Sequence, residues 1–121
     1  MRALNIIVTT ADAERLRGAL TLAGAQAALG GGASLFLLLD AVTLLRAPIT
    51  APRDGDHQAA GLPTLAHLLE EILALGVAII ACQSGMALAA LDADDLPAGV
   101  TTGGPIGFLG QADDAARLLI A

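Results

Sequence analysis

The feature that most constrains this chain is a set of short apolar runs in which polar residues do not alternate. Ala33 to Leu39 (ASLFLLL) and Val77 to Cys82 (VAIIAC) are nearly continuous in apolar side chains. A strand with one wet face alternates. A strand without alternation is covered on both faces, as in a parallel sheet whose crossover connections lay helices against it.

The intervening segments supply those crossovers. Leu4 to Thr9 (LNIIVT) reads as a first strand. Leu16, Leu20, Ala23 and Ala27 then recur at helical spacing, with Arg15, Arg17 and Gln26 falling mainly outside the stripe. Thr10 or Asp12 can cap this helix, and Gly30, Gly31 and Gly32 stop it. Residues 46–61 (RAPITAPRDGDHQAAG) carry Pro48, Pro52, Gly55, Gly61 and mixed charges, and read as a long, mobile loop of the kind that forms lids or binding sites. Pro63 or Thr64 opens a helix with the stripe Leu65, Leu68, Leu69 and Ile72, ended by Gly76. After the strand at Val77 to Cys82 come a short helix at Met86 to Leu91 and a capped turn at Asp92 to Pro97. A short strand at Val100 to Thr102, a turn and helix in GGPIGFLGQADDA, and a last strand at Arg117 to Ile120 complete the chain. The order β-α-β-α-β-α-β-α-β predicts one α/β domain over residues 1–121, with a mostly parallel five-stranded sheet and helices on both faces.

Composition excludes several function classes. The net charge is −6, and all six basic residues are arginines, scattered along the chain. Nucleic-acid binding needs clustered cations to neutralise phosphates, so no direct nucleic-acid contact is expected. The longest apolar stretches, such as Ile72 to Cys82, fall well short of the ~20 residues of a spanning helix. The start of the chain lacks signal-peptide order, and a lone Cys forms no internal disulfide, which fits a reducing compartment. A cytoplasmic location is therefore expected. Apolar residues make up 55% of the chain, mostly Ala and Leu. Such an excess in a small domain is read either as surface buried against further copies or as simple Ala enrichment.

Candidate chemistry gathers where open α/β sheets bind ligands, at the carboxyl ends of the strands. Thr9, Thr10, Asp40, Cys82 to Gly85 and Thr102 to Gly104 all fall there. Cys82 ends a strand, and Gln83, Ser84 and Gly85 lead straight into a helix. Free amides at a helix start favour an anion, and hence the thiolate, which is the nucleophilic form. Free Cys is also among the most buried residue types, so a packed, inert thiol is the equal alternative. Arg53 and His57, in the long loop, are the groups that would reach Cys82 if the loop folds over the strand ends; a solvated His57 is the plainer reading. His67 has Glu71 at i+4 and reads as a surface pair. No metal site is expected, because Cys and His total only three, and Asp92, Asp94 and Asp95 read as turn capping. No cofactor is expected either. The glycine run follows a helix rather than a strand, and no Trp or Tyr is present to stack on a flavin.

Several segments taken together resemble the DsrE/DsrF/TusD-like family of small sulfur-relay proteins across nearly the whole chain. They are LNIIVTT with its Ala/Leu helix, LFLLLDAVTLL, VAIIACQSGMALAAL with Cys at the strand end, DDLPAGVTTGG and the closing ADDAARLLIA. The resemblance implies a flavodoxin-like, three-layer α/β fold assembling as a homotrimer or homohexamer. It also implies a cytoplasmic sulfur carrier or sulfurtransferase subunit, in which Cys82 takes a persulfide from a donor protein and passes it to an acceptor. Gln83, Ser84, Gly85, Thr102, Gly103 and Gly104 would support the thiolate or its anion site. Some members lack the Cys and act as structural subunits, so its presence here counts in favour of activity; the alternative is a non-catalytic oligomeric binding or scaffold subunit of the same fold in which Cys82 packs. Residues 46–61 match no part of the family pattern.

Overall fold

Alternate residues of the first strand, Leu4, Ile6 and Val8, are buried, while Asn5 and Ile7 between them are only half covered. The buried set faces a long helix and the other set the second side of a five-stranded sheet. The computed structural model describes residues Met1–Ala121. Its strands are β1 (Leu4–Val8), β2 (Ala33–Leu37), β3 (Ala78–Cys82), β4 (Thr101–Gly103) and β5 (Arg117–Ile120). They lie in the order β4-β3-β2-β1-β5, and every pairing is parallel.

The helices are α1 (Ala13–Ala28), α2 (Asp54–Ala59), α3 (Leu65–Ala74), α4 (Gln83–Leu88) and α5 (Pro105–Gln111), with single 3-10 segments at Leu39–Leu45 and Ala93–Asp95. The chain steps along the sheet in one direction from β1 to β4. It then crosses back over all of it to reach β5. Right-handed crossovers therefore put α1 and α3 on one face and α5 on the other. On the first face Gly24 lets α1 and α3 close, since a Cβ there would come within 2.6 Å of Ile72 Cδ1. On the second, Phe108 of α5 stacks on Phe36 of β2 with ring centroids 5.0 Å apart. Asn5 and Ser34, register partners on that face, join by a 2.6 Å hydrogen bond.

Asp12 caps α1 by accepting from the amides of Glu14 and Arg15, and Thr64 caps α3 through the amide of His67. Asp92 and Asp95 form a reciprocal capping box. Four expectations are corrected. Residues 46–61 are not loop throughout, because they hold α2, whose Asp54 is fixed by three hydrogen bonds. The helix expected at Met86 begins at Gln83, directly on the end of β3. His67 is exposed and makes no ion pair with Glu71. Arg17 and Gln26 lie inside the buried surface of α1, not outside it. Both are tolerated there because they are paired. Gln26 Nε2 donates to the carbonyls of Arg2 (2.7 Å) and Gly32 (3.3 Å), and its Oε1 accepts from Arg117 (2.8 Å), tying α1 to the amino-terminal ends of β1, β2 and β5. No helix is long and apolar enough to cross a membrane.

Candidate functional site

Cys82 is the last residue of β3 and the N-cap of α4, and its register partner across the sheet is Gly103. The next residue after that partner, Gly104, caps α5. Two strand ends thus pass side by side into two helix starts, and the unpaired first-turn amides of α4 directly follow the cysteine at the carboxyl edge of the sheet. Gln83 and Ser84 are exposed on the rim, as is Thr102, while Gly85 is buried.

The cysteine itself is in the core, only 1% exposed. Two contacts hold down α4, the helix that starts at it. Gly85 presses against the backbone of Leu39, where any side chain at position 85 would collide with the Leu39 carbonyl. Leu39 holds φ at +49°, a left-handed conformation that a Leu side chain disfavours. Arg46 then reaches across to donate to the Ala89 carbonyl at 2.9 Å, fastening the far end of α4. An open cleft of about 310 Å3 runs beside the same strand ends, lined by Ile80, Thr102, Gly103, Gly104 and Phe108, without reaching Cys82.

The two loop candidates lie elsewhere. Arg53 is exposed and pairs with Asp56 at 3.2 Å. Nε2 of His57 lies 3.1 Å from both carboxylate oxygens of Glu14, in the first turn of α1. Neither is bonded to Cys82. Only the start of the segment, Arg46 and Ala47, packs toward α4 and the turn that follows it. Thr9 at the end of β1 is occupied in donating its hydroxyl to the Ala121 carbonyl at 2.9 Å. Thr10 and Asp40 are exposed on the same edge.

Sequence reasoning missed a second polar cluster. Buried Arg17 donates to Asp54 Oδ1 at 2.9 Å and to the Pro63 carbonyl at 3.1 Å. Asp54 also accepts from the amides of Leu65 and Ala51. Burial pushes the Asp54 carboxyl up, but the Leu65 amide, the Arg17 guanidinium and the Ala51 amide together outweigh it, and the pKa falls below the ordinary carboxylate value. The sequence signal was faint: Glu14 and Arg17 at i,i+3 in an opening helical turn.

Comparisons with known proteins bear on the fold and the family. Over 100% of both chains, the structure matches the YchN protein of E. coli, with a TM-score of 0.79 at 23% identity. It also matches MTH1491 of Methanobacterium thermoautotrophicum, described as a protein of unknown function, with a TM-score of 0.69 at 16% identity over 100% of both chains. At such identities the likeness concerns the fold. No curated protein matches in sequence. The sequence model of the DsrE/DsrF-like family, however, matches residues 2–120. With that span and this fold together, the chain belongs to the DsrE/DsrF-like family.

Proposed function

We propose that this protein is a sulfur carrier of a cytoplasmic relay, with Cys82 as the residue that takes and gives the sulfur. The observation that carries this reading is the placement of the single cysteine where β3 becomes α4, beside the glycines that open α5. Backbone amides at such a junction stabilise negative charge, and both the thiolate and the persulfide anion need that. The Cys82 thiolate attacks the outer sulfur of a donor persulfide. An S–S bond forms on Cys82, the donor's S–S bond breaks, and the donor leaves as a thiolate. An acceptor thiolate then attacks the outer sulfur on Cys82 and restores the Cys82 thiolate. No electrons are gained or lost overall, and no cofactor enters. With no second cysteine to resolve it, the persulfide leaves only to a partner.

Burial sets a condition on this chemistry. Sulfur reaches Cys82 when α4 lifts from the Leu39 turn, a local opening far smaller than unfolding. The same burial favours the second reading, a structural subunit in which Cys82 only packs. Alkylation of the folded protein separates the two. A carrier thiol reacts faster than global unfolding exposes it; a packed one reacts only at the unfolding rate.

The subunit is further proposed to work as a homotrimer or homohexamer. Leu118 and Ile120 on β5, and Ile106 and Leu109 on α5, are large apolar residues left in water by a single copy.

A further inference from the structure

The 3-10 segment Leu39–Leu45 grips α4 at both ends. Its first residue, Leu39, sets its carbonyl against Gly85 in the first turn of α4. The residue that follows it, Arg46, donates to the carbonyl of Ala89, the C-cap of the helix, at 2.9 Å. Of the two partners, the segment is the fixed one. Ala41, Val42 and Leu45 are completely buried. In α4 only Gly85 and Met86 are buried, while Gln83, Ser84, Ala87 and Leu88 stand in solvent. So short a helix, with one anchored side chain, is held by its end contacts more than by its packing.

Both grips are strained. Leu39 (φ +49°) and Ala90 (φ +54°) are the two non-glycine residues of the chain with positive φ. Ala90 follows the C-cap, and Leu91 beyond it donates its amide to the Met86 carbonyl at 2.9 Å. Such a helix ending usually has glycine where Ala90 stands. A side chain is disfavoured in that left-handed conformation, and the strain ends when the helix end lets go.

We infer that Leu39 to Arg46 is a clasp that sets how often Cys82 is reached, with Arg46 as its latch. The inference rests on the carrier reading above, in which α4 moves to let sulfur in. Cys82 is the N-cap of α4, so the helix pivots on the residue that carries the thiol. Release of the other end, at Ala89 and Ala90, is the movement that disturbs least. It frees the strained cap and draws only one large side chain of α4, Met86, from the core. Arg46 suits a latch because it is exposed, pairs with no carboxylate and holds a single carbonyl. It is a positioning residue, acting through α4 and not on the sulfur. It is also the first residue of the segment 46–61, which thereby bears on the sulfur site, though not through Arg53 or His57.

The test is alkylation of the folded full chain with iodoacetamide, at reagent levels where the chemistry is slow against reclosing, so that the rate reports the open population. The parent should react by a route that low denaturant barely accelerates, since a local opening exposes little surface. Arg46→Ala should react about fivefold faster, the scale of one lost hydrogen bond. Arg46→Lys, which still donates, should react close to the parent. Ala90→Gly should react about threefold more slowly, because glycine holds the left-handed cap without strain. Arg53→Ala, in the same segment but away from α4, should match the parent. Each factor should hold across the pH profile, since it concerns access and not ionisation of the thiol. A parent that reacts only with the denaturant dependence of global unfolding would overturn the carrier reading and the clasp together. A parent that opens locally, at a rate unmoved by Arg46→Ala and Ala90→Gly, would overturn the clasp alone.

Discussion

Gly85, in the first turn of α4, packs its bare Cα against the carbonyl of Leu39, the residue that turns the chain out of β2 in a left-handed conformation. This contact fits only glycine because the opposing atoms are backbone and cannot swing aside. Gly85→Ala should therefore destabilise the protein by about 1–3 kcal/mol, the usual cost of overpacking. Chemical denaturation would show it as a lower midpoint. By the same steric push, the variant should expose Cys82 and speed its alkylation in the folded state. An alanine variant as stable as the parent would mean that the contact is loose.

Gln26 makes a second prediction. Its side chain accepts from Arg117 and donates to the Arg2 and Gly32 carbonyls while almost wholly buried. Gln26→Leu keeps the bulk but strands those groups, at a cost of about 1–3 kcal/mol. A thermal melt would register the loss. An unchanged melt would assign the side chain no structural role.

These two residues show where the sequence was legible and where it was not. The strands were legible because buried parallel strands leave unbroken apolar runs, and Leu4 to Thr9, Ala33 to Leu39 and Val77 to Cys82 each lie within a residue or two of a strand. Gln26 and Arg17 were not. A polar residue on the margin of a helical stripe looks solvated until its partners, here distant in sequence, are known. Helix α2 was hidden among prolines and glycines because its anchor, Asp54, is set by tertiary contacts with Arg17 and Leu65. The start of α4 was displaced because its N-cap is Cys82, whose side chain makes no capping bond and gives no signal. The position of Cys82 at the strand end could be read from the chain; its burial in the core could not.

Asp54 predicts a pH dependence. Its pKa is lowered in the folded state, so it binds protons less readily there than in the unfolded chain. Its contribution to stability is complete above the unfolded value of about 3.9 and is lost as pH falls through the lower folded value. Denaturation midpoints measured from neutral to acid pH should fall in that window. In Asp54→Asn the fall should be shallower, with a lower plateau at neutral pH. Parallel curves for the two proteins would remove Asp54 from the account.

Assembly is predicted from β5 and α5. Sedimentation at micromolar concentration should give a homotrimer or homohexamer. The double variant Leu118→Glu, Ile120→Glu, which charges two exposed apolar positions, should shift the protein toward a single copy. A stable 12.0 kDa species in the parent would contradict the proposed oligomer.

The most direct measurement of the central claim follows one sulfur atom through Cys82. The folded protein is incubated with glutathione persulfide, separated from it, weighed intact by mass spectrometry, and then offered a small acceptor thiol. The account predicts a gain of one sulfur atom on the parent, none on Cys82→Ser, and return of the parent to its starting mass as the acceptor persulfide appears. A parent that gains no sulfur while folded, or gains it only in denaturant, would contradict the account and leave Cys82 a packing residue.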